Sequence, residues 1–255
     1  MTTLYTAWYR HFWSNRRGLG SLPWSDAPPL TLAERQRVAR SVAQFQLGEW
    51  ARGRGLLRRA AAHPALAADP WFVPALRLFI AEEQRHSALL GRFLDREHIP
   101  RLDRQWVDAV FRRLRKLAGL ELCAVVLATA EVLAIPFYQA LRDATGSPLL
   151  RALCRRILCD EAAHLQYQAL TIGLARQARP VWAQRLSSAA HALLFRVTAL
   201  VLWQQHRGVF HGAGWRFSRF LLEASSEFAR LQAGIDTVAR GGQCFTAWRE
   251  ARLTE

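Results

Sequence analysis

Glu83-Gln-Arg-His86 and Glu161-Ala-Ala-His164 are two copies of one motif, Glu-x-x-His. A further glutamate precedes each copy: Glu49 precedes the first, and Glu131 precedes the second. Residues three apart on a helix lie about one turn apart, so one Glu and one His can reach the same metal ion. Four carboxylates and two imidazoles from four helices form the ligand set of a di-iron or di-manganese centre. The motifs therefore predict a four-helix bundle with two metal ions in its core.

The predicted ligands lie on the apolar faces of their helices. Apolar residues recur at spacings of three and four on either side of each motif, which is the pattern of a core-facing stripe. In the first helix this stripe runs from Phe45 through Glu49 to Leu56, so one continuous helix is expected to hold all three. Without metal, buried glutamates would be costly and would have to take up protons.

The turns between the helices place the ligands at matching heights. Glu49 and Glu83 are equidistant from residue 66, inside the breaker-rich stretch 61–70, and Glu131 and Glu161 are equidistant from Gly146, inside 144–148. Residues equidistant from the turn of an antiparallel hairpin lie side by side. Both pairs are therefore predicted to face each other across a hairpin.

Glu121 is the competing candidate on the third helix. Its midpoint with Glu161 is Leu141, which is not a turn, so Glu121 would be displaced by about 15 Å along the helix. The same reasoning excludes Glu34 on the first helix. Neither glutamate is expected to bind metal.

At these residues the chain resembles the ferritin-like di-iron carboxylate superfamily, which includes ferritins, rubrerythrins, ribonucleotide reductase small subunits and acyl-carrier-protein desaturases. The resemblance covers about residues 33–178. It implies a cofactor of two iron ions, with Mn/Fe and Mn/Mn as alternatives, and it implies that Glu83 and Glu161 bridge the ions. The implied ligands are Glu49, Glu83 and His86 on one side and Glu131, Glu161 and His164 on the other.

The residues directly before the two motifs are also acidic: Glu82 and Asp160. This is similar to the desaturase pattern, in which an acid before one motif hydrogen-bonds the histidine of the other. The resemblance implies that Asp160 orients His86 and that Glu82 orients His164, because metal-bound histidines usually donate their second ring N–H to such a partner. The alternative is that both acids lie on solvated helix faces.

Two tyrosines are expected near the metals. Tyr138 follows Glu131 by two turns on the same face, and Tyr167 follows His164 by three residues. Either could be a redox-active or gating residue. The alternative is a packed tyrosine whose hydroxyl group is satisfied by the core.

The composition, and the clustering of Pro and Gly between the periodic segments, predict an all-α protein: a ferritin-like four-helix bundle with a long crossover and extra C-terminal helices. We expect an aromatic N-terminal segment (1–30) that packs on the bundle, the di-metal bundle itself (31–180), and a C-terminal helical extension of the same domain (181–255). Thr31 and Glu34 predict a capping box at the start of the first bundle helix. The C-terminal helices, expected to separate around 208–214, could wall a substrate channel or form a homodimer interface.

The net charge of +15 is carried almost entirely by arginine. It reflects either genome composition or an acidic partner, for which acyl-carrier protein, RNA and an anionic membrane surface are the candidates. The densest basic cluster lies in the predicted crossover, 98–117, and is either a docking site or a solvated face. It consists of Arg112, Arg113, Arg115 and Lys116.

The sequence shows neither a signal peptide nor a long uncharged apolar run, and the closest, 189–203, is short and carries His191 and Arg196. We expect a cytoplasmic protein, with peripheral membrane attachment as an alternative. The cysteines have no paired metal-binding spacing, so a rubredoxin-like module is not expected and electrons must come from an external donor. They are Cys123, Cys154, Cys159 and Cys244.

The favoured function is that of an O2-activating oxidase or oxygenase which oxidises an unidentified organic substrate. The first alternative is a ferroxidase or a peroxide-scavenging, rubrerythrin-like protein. The second is a metal-binding bundle or scaffold without catalysis.

Overall fold

The computed structural model describes residues 3–16, 22–50, 53–106, 109–111, 113 and 119–242. The described residues are mainly helical and include no strand, which confirms the all-α prediction. The continuous helices are α1 (Leu4–Asn15), α2 (Leu32–Glu49), α3 (Arg54–Ala61), α4 (Pro64–Ala67), α5 (Phe72–Arg96), α6 (Leu120–Asp143), α7 (Pro148–Gln177), α8 (Val181–Gly212) and α9 (Phe217–Ala239).

Four long helices surround the predicted site. α2 packs along α5, α6 packs along α7, and α5 contacts α7. α2 begins with the predicted capping box, in which the Thr31 side chain accepts from the backbone of Glu34 and the Glu34 side chain accepts from the backbone of Thr31. The turn predicted at 144–148 is also present: α6 ends at Asp143, and the Ser147 side chain caps α7.

The connection between α2 and α5 differs from the prediction. α2 ends at Glu49, and Leu56 lies on the separate helix α3. Gly53, which caps α3, has a φ of 62°, and a Cβ atom there would lie 2.5 Å from Cδ1 of Ile80. The chain turns here because it can pass Ile80 only with a glycine in the left-handed region.

α1 packs on the bundle through its aromatic face. Tyr5, Trp8 and Phe12 are buried in one cluster with Phe72 of α5 and Tyr167 of α7. The ring of Trp8 lies edge-on to Tyr167, and Phe12 contacts both Phe79 and His164. The aromatic spacing of this segment therefore corresponds to a buried helix face.

The C-terminal helices share the core of the bundle. Phe210 of α8 and Phe220 of α9 are buried in the same cluster as Val132 of α6 and Ile157 of α7. α8 continues through Gly208, so the break between the two helices lies at 213–216, later than expected. The tight turn uses Gly214, whose φ is 72°.

The predicted crossover is described only in part. Helical residues occur at 106, 109–111 and 113, and Arg113 is exposed. The other members of the predicted basic cluster, Arg112, Arg115 and Lys116, lie outside the described residues.

In the part of the chain that the structure describes, two helices are long and apolar enough to cross a membrane, judged by length and composition alone: α6 and α8. α6 lies in the protein core and is buried on nearly all sides. α8, the helix that contains the stretch 189–203, is mostly exposed along its apolar window.

Candidate metal centre

The six predicted ligand residues come together between α2, α5, α6 and α7. Their potential ligand atoms form two overlapping groups, in each of which the atoms lie within 4.8 Å of one another. Glu83 belongs to both groups, which is the position of a residue that bridges two ions. The groups are Glu49, Glu83, His86 and Glu161, and Glu83, Glu131 and His164.

The two histidines are held from behind by the acids that precede the opposite motifs. Nε2 of His86 lies 3.0 Å from Oδ2 of Asp160, and Nε2 of His164 lies 3.2 Å from Oε2 of Glu82. Because a carboxylate accepts the proton on Nε2, the lone pair of each ring is on Nδ1. Both Nδ1 atoms are buried and have no hydrogen-bond partner among the described residues.

The carboxylates between the histidines also present unpaired oxygens. Oε1 of Glu161 lies 3.8 Å from Nδ1 of His86, and its Oε2 lies 3.8 Å from Nδ1 of His164. Oε1 of Glu83 lies 2.7 Å from Nδ1 of His164, within the distance of an ion pair. One oxygen each of Glu83, Glu131 and Glu161 is buried with no partner in the described part of the chain.

The shifted pKa values show that burying these ionisable side chains together is unfavourable without a cation. Burial, together with the charge of Glu83, raises the pKa of Glu49, Glu131 and Glu161 well above the ordinary carboxyl range. Burial acts on Glu83 in the same direction, but the charge of His164 outweighs it and lowers the pKa of Glu83 to about 2. Burial opposes the charged form of His164, and Glu83 reverses this and raises the pKa of that imidazole. Without a cation, burial and mutual repulsion therefore disfavour the charged form of three of the four carboxyls.

The donor set fits divalent cations. Buried polar atoms are normally hydrogen-bonded, so five convergent atoms without hydrogen-bond partners among the described residues fit the surroundings of a bound ion. Carboxylate oxygens with imidazole nitrogens suit iron and manganese, and no thiolate belongs to the two groups. The residues present therefore match the cofactor that the resemblance implies.

Asn15, at the end of α1, connects the two acids behind the histidines. Its Nδ2 donates to Oδ1 of Asp160 at 2.8 Å and also to Oε1 of Glu82, while its Oδ1 accepts from Arg156 at 2.8 Å. Sequence reasoning did not identify this residue. The sequence offered only an indirect signal, the aromatic face of α1, which in the structure packs on the two helices that carry the motifs.

The outer carboxylates are each held by one neighbour. Tyr138, a predicted neighbour, donates its hydroxyl to Oε1 of Glu49 at 2.8 Å, and burial raises the pKa of this tyrosine. Gln168 of α7 donates to Oε1 of Glu131 and was not predicted. It lies one turn beyond His164, a spacing that could have indicated it.

Tyr167 does not reach the cluster. Its ring stacks on Phe79, whose ring in turn lies 4.8 Å from that of His164. Burial raises the pKa of Tyr167 well above the ordinary tyrosine value. Its position is that of an aromatic shield behind the histidine.

The two rejected glutamates lie elsewhere. Glu121 accepts from Arg176, Arg179 and Ser187 at the start of α6. Glu34 forms the cap of α2 and bonds to Thr145 and Gly146 in the turn before α7. Both carboxylates are fully engaged in holding helix ends.

Comparisons with family models, with curated proteins and with solved structures found no match for this chain. The interpretation of the site therefore depends on the chain's own residues.

Proposed function

We propose that this chain is a ferritin-like di-metal carboxylate protein, a non-haem di-iron oxidoreductase that uses O2 to oxidise an organic substrate. The observation that carries the proposal is the set of buried, unpaired Nδ1 and carboxylate atoms that converge between α2, α5, α6 and α7. A purely structural core would not leave these atoms without partners.

Glu49, Glu83, His86, Glu131, Glu161 and His164 would hold the two ions. When bound, a ferrous pair supplies the electrons and the open coordination positions for reducing O2. Asp160 and Glu82 fix the ring orientation and the tautomer of the histidines, and Asn15 fixes those acids. Tyr138 and Gln168 position the outer glutamates.

The overall balance requires an external electron donor. Reduction of O2 takes four electrons, of which the substrate supplies two, from one C–H bond in a hydroxylation or from two in a desaturation, and the donor supplies two. In a hydroxylation, two protons are taken up, one oxygen atom enters the product and the other leaves as water. In a desaturation, both oxygen atoms leave as water.

A specific feature favours an organic substrate over iron storage. An apolar cavity opens directly on the carboxylates, and among the described residues its lining carries no acidic side chain beyond the cluster itself. An iron-entry route would need hydrated, acidic side chains along its walls to attract the cation. The proposed oxidase therefore fits the cavity better than a ferroxidase does.

The first test is metal content by elemental analysis, followed by O2 uptake of the anaerobic ferrous protein. We expect two ions per chain, loss of about one ion in Glu131→Ala and in His164→Ala, and retention of both in Glu121→Ala. Equal metal content in all the variants would refute the site. A fully metallated protein that consumes no O2 would instead favour a scaffold.

A further inference from the structure

A cavity of about 160 Å³ lies against the cluster. Its floor is formed by Glu49, Glu83, Glu131 and Glu161, so a molecule inside it would contact the proposed metal ligands directly. Its walls come from α2, α6 and α8, with additional contacts from the crossover. They are mainly apolar and include Phe45, Leu127, Ala134, Val201 and Leu202.

The described lining of the cavity carries no positive charge. No lysine or arginine is among the described residues that line it, although the chain as a whole has a net charge of +15. Burial, with a contribution from Arg40, lowers the pKa of the lining residue His206 to about 4, so that this imidazole is neutral at pH 7. A carboxylate or phosphate group would therefore have no cationic partner on these walls and would face four glutamates.

A few polar groups interrupt the apolar walls. Oε1 of Gln44 is buried with no hydrogen-bond partner among the described residues. Gln105 of the crossover donates to Oε1 of Gln205 on α8 at 3.0 Å, which joins two walls of the cavity. A ligand with one hydroxyl or amide group could use Gln44, while most of its surface would contact hydrocarbon.

We propose that this cavity binds the part of the substrate that reacts, and that this part is uncharged and mainly hydrocarbon, either one small ring or a short alkyl chain. The size follows from the volume, because a cavity of about 150 Å³ holds one benzene molecule. The role as a substrate site rests on the proposed function. Any charged part of a larger substrate would remain outside, near the arginine-rich surface.

Gly48 provides a direct test because it lines the cavity and a Cβ atom there would meet nothing within 4 Å. Gly48→Leu should fill the cavity without a backbone clash. Gly208→Leu is the matched control, since Gly208 also lies inside a helix, its Cβ would come no closer than 4.0 Å to Arg37, and it does not line the cavity. Both changes replace a helical glycine and should favour the helix.

The binding of 1-hexanol and of hexanoate is measured by calorimetry on the metal-free and the Mn(II)-loaded protein. We expect 1-hexanol to bind once per chain, and hexanoate to bind the metal-free protein at least about tenfold more weakly. Gly48→Leu should weaken 1-hexanol binding by at least about tenfold, which is the effect of excluding two methylene groups. Gly208→Leu should change it by less than about twofold.

Absence of 1-hexanol binding, equal binding of hexanoate to the metal-free protein, or unchanged binding by folded Gly48→Leu would overturn the proposal. The metal content of the same samples distinguishes failure of the substrate-pocket proposal from failure of the proposed function. Two bound ions without 1-hexanol binding would refute only the substrate pocket. Binding of 1-hexanol by a protein that takes up no metal under any loading condition would refute only the metal centre.

A second observation concerns the outer face of α8. Five large apolar residues recur on this face at helical spacing, and each is more than half exposed. They are Trp182 (69%), Leu186 (64%), Leu193 (63%), Val197 (52%) and Leu200 (54%). The opposite face of the helix is fixed in the core through Phe195, Ala199 and Phe210, so α8 cannot leave the bundle to span a bilayer on its own.

Arginines follow one edge of this apolar stripe. Arg185, Arg196 and Arg207 are eleven residues apart, which is close to three helical turns, and all three are exposed. α8 contains no aspartate or glutamate. A second copy of the chain docked through the same face would therefore bring no carboxylate from its own α8 to these arginines.

We infer that α8 lies flat on an anionic lipid surface, with its apolar stripe in the bilayer and its arginines at the headgroups. Val201 and Leu202, which line the cavity, follow Leu200 of the stripe directly. A lipid-soluble substrate could thus reach the cavity from the membrane.

Flotation with vesicles tests this inference. The protein should bind vesicles of phosphatidylcholine with phosphatidylglycerol, and bind phosphatidylcholine alone at least about tenfold more weakly. The double variant Leu186→Gln/Leu193→Gln should weaken binding by at least about tenfold, and Arg196→Gln should weaken it by about fivefold. Leu32→Gln, at an exposed leucine of α2, is the control and should bind as the wild type does.

Absence of vesicle binding, or equal binding by the double variant, would overturn the inference. Sedimentation velocity tests whether a second copy of the chain, rather than a membrane, covers this face of α8. A dimer that the double variant dissociates would assign the face to a second copy of the chain. A wild-type monomer that binds the anionic vesicles supports the membrane surface.

Discussion

Nε2 of His86 on α5 lies 3.0 Å from Oδ2 of Asp160 on α7. The reverse pair, His164 on α7 and Glu82 on α5, is separated by 3.2 Å. Each motif therefore supplies the acid that holds the histidine of the other motif. This crossing sets the register of α5 against α7, because a shift of either helix by one turn would break both pairs at once.

Asp160→Asn should weaken metal binding by about 10–100-fold, because the ring of His86 loses the anion that orients it and increases its basicity. The measurement is competition with a chelator for Mn(II). Asp95→Asn is the control. Asp95 lies on α5, the helix that carries His86, but it forms an exposed ion pair with Arg101 on the surface. Equal affinities in Asp160→Asn and the wild type would mean that the acid only packs against the ring.

Asn15→Ala should loosen both histidines, although α1 supplies no predicted ligand. The change removes the donor shared by Glu82 and Asp160 and the acceptor for Arg156. Loss of a hydrogen bond to a buried charged group costs about 1–3 kcal/mol, so denaturant unfolding of the metal-free protein should show a decrease of that order. Metal affinity should fall as well.

Ser14→Ala is the control for Asn15→Ala. The Ser14 hydroxyl is exposed and bonds only within α1, to the backbone of His11. A decrease in stability that is equal in the two variants would show that fraying of α1, rather than the link to the acids, causes the effect.

The sequence allowed the six clustered side chains and the crossed acids to be predicted, while Asn15 escaped prediction. Helix period and distance from a turn fix which side chains share a height, and both can be counted along the chain. Asn15 reaches the site only because Tyr5, Trp8 and Phe12 seat α1 on α5 and α7. No local pattern gives the angle of that packing.

The end of α2 illustrates the same limit. The spacing of Glu49 and Leu56 matches a continuous helical stripe, yet one helix ends at Glu49 and a separate helix carries Leu56. The cause is a tertiary contact: the side chain of Ile80 on α5 occupies the space that a Cβ at position 53 would need. A glycine in a sequence is compatible with both outcomes until its neighbour is known.

Glu121→Ala should retain both metals but destabilise the fold. Arg176 is almost completely buried and forms an ion pair with Glu121, and Ser187 also bonds to that carboxylate. Removing one partner of a buried ion pair leaves an uncompensated charge and costs roughly 3 kcal/mol. Denaturant unfolding measures the loss, and elemental analysis checks the metals. Unchanged stability would mean that Ser187 and Ser188 alone satisfy Arg176.

Glu34→Gln tests a pH dependence that is separate from the metal centre. Burial acts to raise the pKa of Glu34, but hydrogen bonds from Thr31, Gly146 and Thr145 outweigh it and lower the pKa to about 2. A carboxyl whose pKa is depressed in the folded state contributes stability above its unfolded pKa of about 4.3. That contribution is lost as the pH falls through this value towards about 2.

At pH 7, Glu34→Gln should be less stable than the wild type by up to about 1 kcal/mol, the usual effect of removing a carboxylate charge near a helix N-terminus. The difference should shrink as the pH is lowered from about 4.3 towards the lowest value at which both proteins remain folded. Glu223→Gln, a charge removal on α9 without these hydrogen bonds, is the control and should show no such trend. A difference between Glu34→Gln and the wild type that stays constant with pH would show that the shape of the side chain, rather than its ionisation, holds α2 to the turn before α7.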